Sequence, residues 1–481
     1  MSRVASIFLS TLVFFSYGAV AQSPPMDIGN RVELFVDHHF IESMEGVELR
    51  LHEPRGMEAV VEFDKPWEGR YSGYTTVLKD GDVYRMYYRG LPTAGRDGSN
   101  TETTCYAESS DGIHWTKPEL GLFEWEGSSA NNIVLADHAP LSHNFSPFFD
   151  TNPECPPEER LKAVAGTEKS GLVAFVSGDG VRWKKIQEEP VFTEGVFDSQ
   201  NVAFWSELEQ RYVCFFRVWS GGGYKGYRSV AKTTSKDFIH WSKPAEMTYG
   251  DSPREHLYTN QTHPYFRNPH LYIAVAARFM PGRRVVSAEA FEKIGGEAKY
   301  SGDSSDTVLM TARGTGAYDR TFMEGFVRPG LGMNNWTSRT NYPALGVVPI
   351  NDNAMSFYVN RNYGQKSAYL QRMESRVDGF GSVHASYEGG EMITKPLLYK
   401  GGDLVINFAT SAAGSIWVEL QHRDGTPING FGIDECDEIL GDQIERTVTW
   451  KGNSDLSGMT GRPVQLRIRM KDADLYSVRF K

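Results

Sequence analysis

The chain has 481 residues, a formal net charge of −11 and 12% aromatic residues, a composition that supports sizeable cores and excludes general disorder. The acidic balance argues against a nucleic-acid partner or an anionic membrane surface, because no basic surplus exists to neutralise phosphates. The cysteines are scattered without zinc-binding spacing, so we expect most to be unpaired: Cys105, Cys155, Cys214 and Cys436. We expect no metal or cofactor, although a structural calcium ion would leave no sequence signature.

Residues 1–21 are predicted to be a secretory signal peptide. Arg3 supplies a charged start, and an apolar run too short to cross a bilayer follows from Ile7 to Tyr17. Ala19-Val20-Ala21 matches the small-x-small cleavage pattern. No later segment is apolar for long enough to span a membrane, so we expect a secreted or periplasmic protein.

A seven-residue phrase, Ser-x-Asp-(Gly/Phe)-(Ile/Val)-x-Trp, occurs three times, starting at Ser109, Ser177 and Ser235. Each copy closes a unit of alternating strands and turns, and the tryptophans are 68 and then 58 residues apart. A period of this order on β-rich sequence predicts a β-propeller. We interpret the phrase itself as scaffold, in which Asp forms a tight turn and Trp packs between sheets.

Two further units keep the strand pattern without the phrase, one from Thr262 and one from Tyr342. The five units predict an all-β fold with a five-bladed propeller over residues 22–378. Short strands with period-2 alternation then predict a β-sandwich over residues 379–481. Strands between Asn30 and Arg55 either complete the closing blade or pack between the two domains.

The first strand of each blade lines the axis of a propeller, so polar residues that precede these strands are expected to meet at one mouth. The carboxylates predicted to be catalytic are Asp198, Glu255 and Glu324. The side chains predicted to bind substrate are Asn144, Asn201, Asn260, His263, Asp319 and Arg320. Asp150 follows its strand instead, which predicts a place at the opposite mouth, but the sequence leaves it as an alternative to Asp198.

Carboxylates around a groove rich in Trp and Tyr suit glycoside hydrolysis, in which one carboxylic acid protonates the leaving oxygen and another carboxylate attacks or activates water. We predict that Asp198 is the nucleophile or general base and that Glu255 is the general acid. Glu324, with Asp319 and Arg320, would form a third cluster. Arginines would suit anionic sugars as bidentate donors.

The order of a five-unit propeller and a β-sandwich resembles the family 32 and family 43 glycoside hydrolases. This resemblance implies catalytic acids before the axial strands of the first three blades. The Asn-Asp-Pro-Asn-Gly segment of family 32 has only a loose positional analogue in Phe35-Val36-Asp37-His38-His39, and its Arg-Asp-Pro segment is missing. Glu154-Cys155-Pro156 spells the family's Glu-Cys-Pro motif, but it lies in a Pro-rich loop of the second blade, and we interpret it as coincidence.

The favoured hypothesis is a secreted glycoside hydrolase acting on a polysaccharide or oligosaccharide. One alternative is a non-catalytic carbohydrate-binding propeller. Another is a lyase acting on uronic-acid polymers, in which His263 or His256 would act with a tyrosine. The sugar, its linkage, exo or endo action, the stereochemical outcome and the oligomeric state stay open.

Overall fold

The computed structural model describes residues 24–93, 95–136 and 138–481. The predicted signal peptide lies outside the described residues. Within them, nearly all regular structure is β, as predicted, and the one α-helix is the short Ala288–Lys293. No helix in these ranges is long and apolar enough to cross a membrane.

Three blades are four-stranded sheets whose strands follow one another in chain order. Blade one consists of Gly73–Asp80, Val83–Gly90, Thr103–Ser109 and Ile133–Leu135. Blade two consists of Ser146–Phe149, Leu161–Thr167, Gly171–Ser177 and Lys184–Lys185. Blade three consists of Val202–Ser206, Arg211–Trp219, Arg228–Ser235 and Ala245–Glu246.

Blades four and five depart from this plan, because their innermost strands are broken in two. Blade four consists of His256–Thr259, Thr262–Tyr265, Asn268–Pro281 and Asp303–Ala312. Blade five consists of Tyr342–Pro343, Val348–Pro349, Ala354–Arg361, Tyr369–Arg376 and Arg55–Glu62. Arg55–Glu62 comes from the start of the chain, and its pairing with Tyr369–Arg376 closes the ring.

The C-terminal sandwich is built from one eight-stranded antiparallel sheet. Its strands are Glu33–Leu34, Ile41–Glu45, Val47–Leu51, Gly381–Ala385, Gly390–Thr394, Leu404–Gln421, Asp442–Thr447 and Gln465–Phe480. A separate parallel pair joins Met26–Gly29 to Leu397–Tyr399. All strands before Arg55 therefore pair with C-terminal strands, three of them within the eight-stranded sheet, while Arg55–Glu62 completes the closing blade. The boundary at residue 378 stays a prediction.

Short 3-10 turns occur at Pro157–Glu159, Ala298–Tyr300, Met333–Asn335 and Ser457–Met459. The turn and helix between the second and third strands of blade four belong to an insertion, residues 282–302. Arg70 of blade one donates a hydrogen bond to the Gly295 carbonyl at 2.8 Å. The insertion therefore reaches from blade four across to blade one.

The repeated phrase is scaffold, as predicted. In the first copy the Asp111 carboxylate accepts hydrogen bonds from the backbone N–H groups of Ile113 and His114 at 2.8 Å. Trp115 packs edge-on against Tyr358 of blade five, with ring centroids 5.8 Å apart. Trp183 packs in the same way against Tyr87 of blade one at 5.9 Å. The phrase thus fixes a turn and joins neighbouring blades.

Strand direction separates the two faces of the propeller. The phrase follows the end of each third strand, so it lies on the face opposite the beginnings of the innermost strands, which we call the mouth. Between the faces, buried Gln261 donates to the Gln200 side-chain oxygen at 2.7 Å, and Gln200 donates to the Thr76 hydroxyl at 2.8 Å. These amides fill the axis below the mouth.

Candidate active site

Each blade turns sharply as it enters the axis. A non-glycine residue with a left-handed backbone lies within or shortly before each innermost strand, in blade four at the break of the strand: Tyr74 (φ 49°), Asn144 (φ 52°), Phe197 (φ 51°), Gln261 (φ 48°) and Asn341 (φ 65°). Such conformations are costly for residues with a Cβ and concentrate at functional sites. Their recurrence in all five blades near this side of the axis makes the mouth a candidate functional site.

Arginines from the second strands also reach the mouth, because these strands run antiparallel to the innermost ones. Arg89 of blade one is buried, and it donates hydrogen bonds to Asp97 at 2.9 Å and to the Asn144 side-chain oxygen at 3.2 Å. Arg217 occupies the matching place in blade three and forms an ion pair with Asp198. Both guanidinium groups are therefore held rigidly under the mouth.

Asp198 has the features of an active-site carboxylate. Its side chain is 41% exposed, whereas that of its partner Arg217 is only 3% exposed. A buried counter-ion fixes the carboxylate while the outer side stays open to a ligand. Asn201 lies beside it on the same approach to the axis, and its buried side-chain oxygen has no hydrogen-bond partner among the described residues.

Four tyrosines line the same space, three of them buried and Tyr74 partly buried: Tyr74, Tyr258, Tyr342 and Tyr363. Tyr258 is central, because its ring lies 4.9 Å from that of Tyr342 and 4.4 Å from the Arg217 guanidinium. Burial alone would raise its pKa, but the positive charges of Arg339 and Arg217 outweigh burial and lower it. Tyr342, in contrast, has its pKa raised by burial.

Asp303 is a further carboxylate at the mouth, besides Asp97 and Asp198. It begins the third strand of blade four, and third strands begin at this face. Burial raises its pKa, against the opposing effects of a Ser338 hydrogen bond and the charges of Arg339 and Arg228. Its Oδ1 atom has no hydrogen-bond partner within the described parts of the chain. Burial thus shifts the pKa of Asp303 upwards, whereas Asp198 is paired with a cation.

Two predicted binding residues at the mouth are committed to the fold. The His263 ring bonds the Gln261 carbonyl through Nδ1 at 2.8 Å and accepts from the Val347 N–H through Nε2 at 3.1 Å. Burial lowers its pKa to about 4, so the ring is neutral. Asn260 accepts from the Thr262 N–H at 3.0 Å, which stabilises a turn. Neither side chain is free to bind a sugar without losing these contacts.

The structure places Glu255 in a separate ion-pair network. One oxygen accepts from Arg278 at 2.7 Å, and the other pairs with Arg320. Arg278 also binds Asp306, at 2.6 and 2.8 Å. With both oxygens held by guanidinium groups, Glu255 does not suit a general acid, which must carry a proton to the leaving oxygen.

The predicted third cluster does not form among the described residues. Asp319 is exposed, and its carboxylate accepts from the Thr321 N–H and hydroxyl at 2.7 Å. It lies beside Thr311, near the end of the third strand, and therefore towards the opposite face. Arg320 pairs with Glu255 instead, and Glu324 is exposed on the other side of the turn. Asp319, Arg320 and Glu324 are close in the sequence, but the fold does not bring them into one cluster.

Asp150 also lies at the opposite face. Its carboxylate is fully buried, pairs with Lys162 at 2.9 Å and accepts from the Tyr212 hydroxyl at 2.6 Å. In the adjacent loop, the Cys155 sulfur accepts from Lys162 at 3.3 Å. All four cysteines are free, so most are unpaired as expected. No group of three or more ligating side chains in the described ranges could hold a metal ion.

Sequence reasoning missed the arginines, the tyrosines and Asp303. The arginines had a detectable signal, because aromatic-arginine pairs recur near the ends of second strands, as in Tyr88-Arg89 and Phe216-Arg217. Aligning whole blades, instead of the phrase alone, would have found them. Asp303 had no such signal, because it follows the insertion at residues 282–302.

Comparisons with known proteins give structural neighbours of low similarity. A glycoside hydrolase shares 11% identity and a TM-score of 0.45, covering 68% of this chain and 92% of that chain. A β-1,2-mannobiose phosphorylase from Listeria innocua shares 8% identity and a TM-score of 0.44, covering 66% of this chain and 94% of that chain. An N-acetylgalactosamine deacetylase from F. plautii shares 13% identity and a TM-score of 0.42, covering 70% of this chain and 97% of that chain.

No family model matches the sequence, and no curated protein matches it either. The activities of the structural neighbours belong to those proteins. The assignment of this chain as a five-bladed β-propeller with a C-terminal β-sandwich rests on its own strand pairing.

Proposed function

We propose that this protein is a secreted glycoside hydrolase whose active site is the mouth of the propeller. The observation that carries the proposal is the pair of carboxylates at that mouth, Asp198 and Asp303, in contrasting environments. Asp198 is half exposed and paired with Arg217, while burial raises the pKa of Asp303. Acid–base cleavage of a glycosidic bond requires two carboxyl groups, one acting as the acid and the other as the base or nucleophile.

Each group has a defined role in this proposal. Asp303 donates its proton to the leaving glycosidic oxygen, and Asp198 attacks the anomeric carbon or activates a water molecule. Arg217 keeps the Asp198 carboxylate oriented. The exposed rings of Tyr224 and Tyr227, 57% and 42% exposed, lie on the loop beside Arg217 and would stack on sugar rings.

The test is digestion of a glycan panel with reducing ends and ultraviolet absorbance measured together. The proposal expects new reducing ends with the wild type and a loss of most activity in Asp198→Asn and Asp303→Asn. Glu255→Gln tests the acid predicted from sequence, and it is expected to keep activity because Glu255 belongs to another ion-pair network. Retention of glycan without new ends, in a folded protein, would instead indicate a binding propeller.

A lyase acting on uronic-acid polymers is the second candidate, because the pKa of Tyr258 is lowered by neighbouring arginines. A tyrosine of this kind can remove a proton next to a carboxylate. Products that absorb in the ultraviolet and a larger loss in Tyr258→Phe than in Asp198→Asn would favour this function over hydrolysis. His263 is a poor partner for such a tyrosine, since both of its ring nitrogens are engaged.

A further inference from the structure

Two more arginines at the mouth lie over aromatic rings. The Arg228 guanidinium lies 4.5 Å from the Trp219 ring centroid, 4.6 Å from that of Phe279 and 5.4 Å from that of Tyr258. The Arg339 guanidinium lies 5.0 Å from the Tyr300 ring and 5.8 Å from the Tyr258 ring. Tyr258 thus has both cations beside it.

These ring contacts provide no hydrogen-bond acceptor oxygen or nitrogen for the N–H groups of the two arginines. All N–H donors of a guanidinium lie in its plane, so a ring packed against the face satisfies none of them. The Nε atoms of Arg228 and Arg339 are buried and have no hydrogen-bond partner among the described residues. A planar fork of unsatisfied donors matches the oxygens of a carboxylate or a sulfate.

The charges at the mouth are also unbalanced. Arg89 pairs with Asp97, and Arg217 pairs with Asp198. Neither Arg228 nor Arg339 has a carboxylate within 4.0 Å in residues 24–93, 95–136 and 138–481. The remaining carboxyl group, Asp303, interacts with both arginines without an ion pair shorter than 4.0 Å among the described residues, so four arginines at the mouth face three carboxyl groups. The mouth therefore carries surplus positive charge in a protein whose net charge is −11.

Arg228 and Arg339 are partly buried, and an anionic ligand offsets the cost of partly desolvated cations without counter-ions. The lowered pKa of Tyr258 reflects the same uncompensated field, since Arg339 and Arg217 are its causes after burial. Burial and the charge of Arg217 likewise lower the pKa of Arg228. The pKa values of Tyr258 and Arg228 would both return towards their ordinary values if a negative charge entered between the two arginines.

We infer that Arg228 and Arg339 form an anion subsite, and that the substrate is an acidic saccharide whose carboxylate or sulfate binds there. The inference rests on the proposed function only for the location of the active site. The subsite adjoins Asp303 and Tyr258, so it would place an anionic sugar next to the reacting groups. A neutral glycan would leave both guanidinium edges unsatisfied.

Binding is measured by titration calorimetry at low temperature with matched pairs of oligosaccharides. One pair is a uronate oligosaccharide and its carboxyl-reduced form, and the other is a sulfated galactan oligosaccharide and its desulfated form. The inference expects the charged member of one pair to bind about tenfold tighter or better. The pair that shows the preference identifies carboxylate or sulfate as the ligand. Equal binding of charged and neutral members in both pairs would overturn the inference.

Variants then assign the preference to these residues. Arg228→Gln and Arg339→Gln are expected to abolish it, and Arg339→Lys, which keeps the charge without the planar fork, should retain only part. Arg254→Gln is the control, because Arg254 is exposed and already has a counter-ion in Glu246 at 2.9 Å. A preference unchanged in both glutamine variants would show that the anion binds elsewhere.

The two proposals fail in different ways. If anionic glycans bind through these arginines but yield no new reducing ends, the hydrolase proposal fails and the subsite stands. If neutral glycans are cleaved and no charge preference exists, the subsite fails and the hydrolase proposal stands. Should a glutamine variant not fold, the matched pairs on the wild-type protein still decide the class of substrate.

Discussion

The two faces of the propeller use the same residue types in opposite ways. On the face with the repeated phrase, three aspartates are saturated by backbone N–H groups: Asp111, Asp179 and Asp237. Nearby, Arg160 forms two hydrogen bonds with Asp80, at 2.7 and 2.9 Å. At the mouth, in contrast, Asp303 has an oxygen without a partner and Arg228 has an edge without one.

This difference distinguishes scaffold from site better than residue type does. A saturated carboxylate has its hydrogen-bonding capacity committed to the fold, so it contributes to stability and offers nothing to a ligand. An unsatisfied buried group costs stability, and a bound ligand can recover that cost. We therefore expect equal substitutions on the two faces to act on different properties, activity at the mouth and stability at the opposite face.

The largest expected effect is on activity in Asp198→Asn. Loss of a positioned base or nucleophile should lower the turnover rate by about 10²- to 10⁴-fold. The change also leaves Arg217 without its counter-ion, so a lower unfolding temperature is expected as well. Rate measurements below that temperature separate the two effects.

Asp179→Asn is the matched control, since it is the same substitution in the phrase of blade two. It should leave the turnover rate unchanged within experimental scatter. Equal losses of activity in Asp198→Asn and Asp179→Asn would erase the distinction between the faces and with it the assignment of Asp198.

The second-largest expected effect is a pH dependence of stability that the raised pKa of Asp303 causes. Its pKa is raised in the folded protein, so the folded state binds its proton more tightly than the unfolded chain does. The resulting stability is present below the ordinary value of about 3.8 and is lost as pH rises through the raised pKa. Asp303→Asn should therefore gain stability relative to the wild type as pH increases above about 4, in chemical denaturation at several pH values.

The same variant should lose activity by about 10²-fold or more, together with the alkaline limb of the rate profile, because that limb reports deprotonation of the acid. An unchanged alkaline limb in Asp303→Asn would assign the acid to another group. The stability experiment would then still show whether Asp303 is protonated in the fold.

The fold followed from the sequence more fully than the site did. Turn chemistry and alternation are local, so the phrase and the strand pattern from Thr262 to Val359 were sufficient to predict five blades. The site depends on which residues meet across blades. Asp198 was found because it precedes an innermost strand. Glu255 also precedes an innermost strand, but Arg278 and Arg320 hold it in another ion-pair network. No local sequence pattern reveals that pairing.

The smallest expected effect is on stability in Asp179→Asn. The Asp179 carboxylate accepts from the Val181 and Arg182 N–H groups at 2.8 Å, and these bonds help lower its pKa to about 2 against the opposing effect of burial. Weakening them should cost about 0.5–1 kcal/mol at neutral pH, a value reduced to allow for the partial exposure of the side chain. Because the folded pKa lies below the ordinary 3.8, this stability is present above about pH 4 and is lost as pH falls towards about 2. Wild type and variant should thus differ in urea denaturation at neutral pH and converge in acid, whereas a difference that persists at low pH would mean that the carboxylate charge is not what stabilises the turn.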